Sequence, residues 1–109
     1  MSAQNSRRLE IDEVRSVTTP GATFQTLGDP LDFPAPLILF VNATDGLLFI
    51  SDNTTQDKIP LVAGANFVLD VRSNSGLEPI AFDKGKQFYV RREGAAAGTV
   101  YMTPFYMKV

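Results

Sequence analysis

The chain has 109 residues, 44% of them apolar and 20% charged, with ten Lys and Arg set against twelve Asp and Glu for a net charge of -2. That is the length of one domain able to bury about 60–70% of the surface its unfolded chain exposes, and the composition is far from that of disordered chains. With no histidine and no cysteine, disulfides, thiolate nucleophiles, Ser-His and Cys-His catalytic systems and the commonest metal ligand are excluded.

Charges of both signs are scattered, with basic pairs at Arg7/Arg8 and Arg91/Arg92, so nucleic acid is not expected as a partner. No apolar run approaches the roughly 20 residues of a membrane-spanning helix. Nor does an apolar segment follow the arginines of MSAQNSRRLEIDE. No membrane partner is expected, and synthesis in the cytoplasm is.

Period-two patterning with frequent turn residues runs along the chain, and no window carries a helical apolar stripe. The expected fold is all-β: a single-domain antiparallel β-sandwich or jelly roll of about eight strands. Residues 1–8 read as a flexible N-terminal segment and residues 9–109 as the β-sandwich domain.

In RRLEIDEVRSV, Leu9 and Ile11 alternate with charged residues before the apolar spacing shifts by one at Val14 and Val17, which predicts a bulge or bend. TTPG turns the chain and ATFQTL forms a short strand. GDPLDFPAP, with three prolines, is a loop or sheet edge, because proline donates nothing to a ladder. The continuously apolar LILFV predicts a central strand buried on both faces, and Asp45-Gly46 predicts a hairpin over 37–51. KIPLV, with Pro60, should be an edge element. In NFVLDVR, Phe67, Leu69 and Val71 should face the core, with Val68, Asp70 and Arg72 on the other side. After the loop SNSGLEP come a short strand IAF, a tight turn DKGK and a strand QFYVRR. EGAAAG reads as a hairpin tip before the last strand, TVYMTPFYMKV.

The acids have simple readings. Glu10, Asp12 and Glu13 lie on an exposed strand, and Asp45, Asp52 and Asp57 occupy turns, where Asp bonds nearby backbone. Neither set makes a convincing glycosidase pair. DNTTQD offers oxygens to calcium, yet its spacing is that of no EF-hand. The sequons at Asn42 and Asn53 read as chance, and the glycines of DKGK and EGAAAG follow no phosphate-binding spacing. No catalytic residue, metal or cofactor is expected.

That leaves apolar and aromatic surface as the carrier of function. Tyrosine buries a large area while keeping a hydroxyl, which suits interfaces. The expected contact residues are Arg8, Leu9 and Ile11 on the first strand, Pro30, Phe33, Pro34 and Pro36 on a Pro-rich arm, and Tyr101, Phe105 and Tyr106 on the last strand.

VNATDGLLFISDNTTQDKIPLVAGANFVLDV followed by FDKGKQFYVRREGAAAGTVYMTPFY resembles small structural proteins of tailed bacteriophages. In those, a strand ending in N-x-T-D leads to a short hairpin, a Pxx-AG turn, a strand ending in Asp, and a final hairpin with paired aromatics. The match spans residues 37 to 107 and departs at Lys86, where Thr follows KG in the pattern. The resemblance implies a non-enzymatic virion component made in the host bacterial cytoplasm: a capsid decoration or cement protein, or an accessory protein of the neck or tail. It implies homo-oligomeric assembly and contacts with major capsid or neck/tail proteins. The alternative is a carbohydrate- or receptor-binding β module using Tyr89, Tyr101 and Tyr106.

Overall fold

Two antiparallel sheets pack face to face in this computed structural model, which describes residues 8–71, 81–94 and 96–108. Their strands are β1 (Arg8–Ile11), β2 (Arg15–Thr18), β3 (Gln25–Thr26), β4 (Leu37–Thr44), β5 (Leu47–Ser51), β6 (Ile59–Leu61), β7 (Asn66–Asp70), β8 (Tyr89–Glu93) and β9 (Gly98–Lys108). The larger sheet runs β1-β9-β4-β7, with β2 also on β9, and the smaller runs β3-β8-β5-β6. The chain is an all-β sandwich. Its β1 begins at Arg8, and residues 1–7 of the expected flexible segment lie outside the described residues.

Inner faces follow strict alternation. Ile38, Phe40, Val100 and Met102 from the larger sheet meet Leu48, Ile50, Phe88 and Val90 from the smaller, all buried. Phe88 sets its ring edge-on to Phe40 and Phe82, with centroids 5.7 and 5.4 Å away, the geometry that ring quadrupoles favour. Leu27, at the end of ATFQTL, and Leu31 and Ala35 from the Pro-rich stretch close one side of this core.

The spacing shift in the first strand is a bulge. Ile11 pairs with Phe105 and Arg15 with Met102, so four steps along one strand match three along the other. This flips the outward positions from Leu9 and Ile11 to Ser16 and Thr18. Pro104, buried in the central strand β9, sits opposite that break and accepts from Asp12 N at 2.9 Å. A residue's N–H and C=O point the same way in an antiparallel ladder, so the donor proline lacks falls where the ladder is already interrupted.

Several expectations are corrected. β4 is central but alternates, with Ile38 and Phe40 buried and Leu37, Leu39 and Val41 half-buried. No hairpin spans 37–51: β4 and β5 belong to different sheets, and Asp45-Gly46 carries the chain between them. EGAAAG likewise crosses from β8 to β9. The two crossings are tied together, since Asp45 N donates to Ala97 O at 3.1 Å and Ala97 N to Asp45 Oδ1 at 2.7 Å. Turn chemistry reports a change of direction and leaves open whether the strands beyond it pair.

The Phe67 prediction holds in direction, since Phe67 pairs with buried Phe40, but β7 is an edge strand and leaves the ring exposed. β6, carrying Pro60, is an edge as expected. IAF makes only the bridge Ala35–Phe82. SNSGLEP, Arg72 and Ile80 lie outside the described residues.

Candidate protein interface

The two outer faces differ in chemistry. On the smaller sheet, the Arg91 guanidinium lies over the Phe49 ring at 4.9 Å and the Phe24 ring at 5.8 Å. Arg91 also pairs with Asp57 at 2.5 Å and Glu93 at 2.9 Å. Hydrogen bonding to Arg91 holds the Asp57 carboxyl below its ordinary value, and the same bonds push Arg91 up. Nearby, Asp52 is lowered by Lys58 first and then Lys86, with Nζ atoms at 2.6 and 3.1 Å. The loop acids are thus paired with cations of their own chain. Asn53 Oδ1 accepts from the amides of Thr55 and Gln56 at 3.0 and 2.9 Å, the local turn expected of DNTTQD.

The outer face of the larger sheet is apolar. Cross-strand register places Leu9 beside Met107, and Ile11 beside Phe105, Leu37 and Asp70. The next row holds Thr103, Leu39 and Val68. Below it lie Ser16, Tyr101, Val41 and Asn66, and at the foot Thr18, Thr99 and Ala43. Asp70, on the β7 edge, is the single charged residue among them. Ile11 is 70% exposed and Val68 51%, with Tyr101 and Met107 also exposed. Isolated exposed apolar residues are ordinary, but a contiguous apolar sheet face marks an interaction surface.

Four of the ten residues expected from sequence, Leu9, Ile11, Tyr101 and Phe105, come together on this face. The others do not. Phe33 stacks on Tyr106, centroids 4.1 Å apart and planes at 15°, so each ring covers part of the other. Arg8 pairs with Glu10 at 3.1 Å on the edge strand. Pro30 and Pro34 are exposed in the loop, whereas Pro36 is buried. The Pro-rich stretch is no free arm. Leu31 N and Ala35 N donate to Lys86 O and Phe82 O, and Arg15 holds the loop from beneath.

Arg15 escaped the sequence reading. Its side chain is buried on the inner side of β2, opposite Met102. It donates to Glu13 O at 2.5 Å and Pro30 O at 3.0 Å, and pairs with Asp12 at 3.2 Å and Asp32 at 3.1 Å. Arginine's planar fork suits such a multi-acceptor site. The bulge was the available signal, because it turns Arg15 inward. Leu37, Leu39 and Val41 were also missed as surface: an apolar run reads as buried on both sides, and only the sheet order reveals that one side is uncovered. Val68, expected on the side away from the core, is exposed there.

An apolar cavity of about 150 Å³ lies between the sheets, lined by Ile50, Ile59, Leu69, Phe82 and Phe88, with the Asp52–Lys58 pair at its rim. Its charges satisfy each other. Among the described residues, no three Asp or Glu gather to hold a metal ion. What fold and surface define is a β-sandwich with one charge-closed face and one apolar face. No family model matches the chain, and no curated protein matches it in sequence.

Proposed function

We propose that the chain is a non-enzymatic structural protein of a tailed-phage virion, a capsid decoration or cement protein that stabilises the particle through protein–protein contacts, the outer face of its larger sheet being the surface that assembly covers. The observation that carries the docking surface is the contrast between the two faces: one sheet covers its rings with Arg91 and its ion pairs, while the other leaves Leu9, Ile11, Leu39, Val68 and Tyr101 uncovered. The particle setting rests on the resemblance over residues 37–107. Repetition on a symmetric shell multiplies a modest contact into firm attachment.

Quantitative mass spectrometry of purified virions tests this. On the order of hundreds of copies per particle, as a symmetric shell offers, supports a decoration or cement role. A dozen or so, the copy number of a ring at the vertex, moves the protein to the neck or tail. Complete absence from virions overturns the reading.

A further inference from the structure

We propose that the occupant of the apolar face is a second copy of this chain, so that two larger sheets stack face to face across a two-fold axis. This rests on the reading of that face as a docking surface.

Three features favour self-association. The first is size. Four strands at about 4.8 Å spacing and the eight residues of β4 at about 3.3 Å each give a face of roughly 19 by 26 Å. That is about 500 Å² in projection per copy, and about 1,000 Å² for the pair reaches the size at which specific interfaces begin. The second is charge. Among the described residues of the face Asp70 is the single charged one, so the apolar rows that cover most of it carry no charge pattern to select an oppositely charged partner and can complement a copy of themselves. Asp70 lies on the β7 edge. A two-fold axis parallel to the strands therefore carries it over the β1 edge of the second copy and away from its own counterpart. The third is shape: twisted sheets with alternating side chains interdigitate at about 10 Å separation, as the two sheets within this sandwich already do.

The opposite face offers no such match, because its rings are already covered by Arg91 and its acids are already paired with cations of the same chain. The apolar sheet is the face that two-fold symmetry can bury.

The test is sedimentation velocity with light scattering on the full chain from about 1 to 200 μM, the range in which an interface at the small end of the specific class associates. A species of twice the 11.9 kDa chain mass is expected to grow with concentration. Ile11→Lys and Val68→Lys lie at opposite edges of the face and are exposed already, so each should fold normally by circular dichroism and weaken association at least tenfold. Val62→Lys, also exposed but off the face at 61%, should dimerise like the parent. A parent chain that stays monomeric at about 200 μM, or a dimer that survives both variants unchanged, overturns the proposal. A monomer that still decorates particles overturns the dimer alone. A dimer absent from virions overturns the virion role alone.

Discussion

The Asn42 amide, on β4 of the larger sheet, donates to the Leu61 carbonyl on β6 of the smaller sheet at 2.7 Å. A fully buried side chain thereby bridges the two layers at the corner where the chain changes sheet. Asn42 Nδ2 also reaches Gly46 O at 2.9 Å, and Asn42 Oδ1 accepts from Thr44 N at 2.9 Å. Asn42→Leu leaves these backbone groups without partners in the interior, and the expected loss is about 2–4 kcal/mol in urea unfolding. Asn42→Asp should lose at least as much, because a carboxylate cannot donate. A loss under about 0.5 kcal/mol would remove the bridge from the account. The same burial shuts the Asn42 sequon to modification in the folded chain.

Arg15 joins the β1–β2 bulge to the Pro-rich loop. Arg15→Ala abandons the Asp12 carboxylate, itself 10% exposed, and frees the Pro30 and Glu13 carbonyls. Destabilisation of about 2–4 kcal/mol is expected. Residues 28–36 should also become open to limited proteolysis before the rest of the domain. Arg15→Lys should rescue only part of the loss, since one ammonium cannot span acceptors on both sides. Full rescue by lysine would mean that charge alone matters here.

Gly98 begins β9 with φ at 125°, and a Cβ there would lie 2.5 Å from Ala43 O and 2.9 Å from Thr44 Cα. Those contacts are backbone and cannot swing aside. Gly98→Ala should therefore cost about 2 kcal/mol or more through strain at the β4–β9 register. Gly64→Ala meets nothing within 4 Å and carries only the positive-φ penalty, about 1 kcal/mol. Equal losses in thermal unfolding would count against a steric cause at Gly98.

Stability should depend on pH only in acid. Asp52 and Asp57 are both held below their ordinary value of 3.8, by Lys58 and Lys86 and by Arg91. A carboxylate lowered in the folded state stabilises the fold above its unfolded value, and that contribution disappears as pH falls through the lower folded value. With no histidine in the chain, the urea midpoint should be flat from about pH 5 to pH 7 and decline below about pH 4. Arg91→Gln should flatten part of that acid limb by removing the Asp57 partner, and about 0.5 M salt should do the same by screening these exposed pairs. A midpoint that shifts near pH 6.5 would contradict the assignment.

Period-two alternation and the placing of proline were enough to determine an all-β domain, the bulge after Ile11 and the edge position of the Pro60 strand, because each follows from local backbone geometry. Leu9, Ile11, Tyr101 and Phe105, all expected as contact residues, do share one sheet face. Only the tertiary structure decided that Asp45-Gly46 and EGAAAG cross between sheets, that the Pro-rich stretch is fastened down by Arg15, and that Leu37, Leu39, Val41 and Val68 complete an uncovered face. Those outcomes depend on which strands pair across long separations in the chain, such as β1 with β9 and β4 with β7. A strand's own residues set its two faces, but what covers each face is set by partners that its local pattern does not specify.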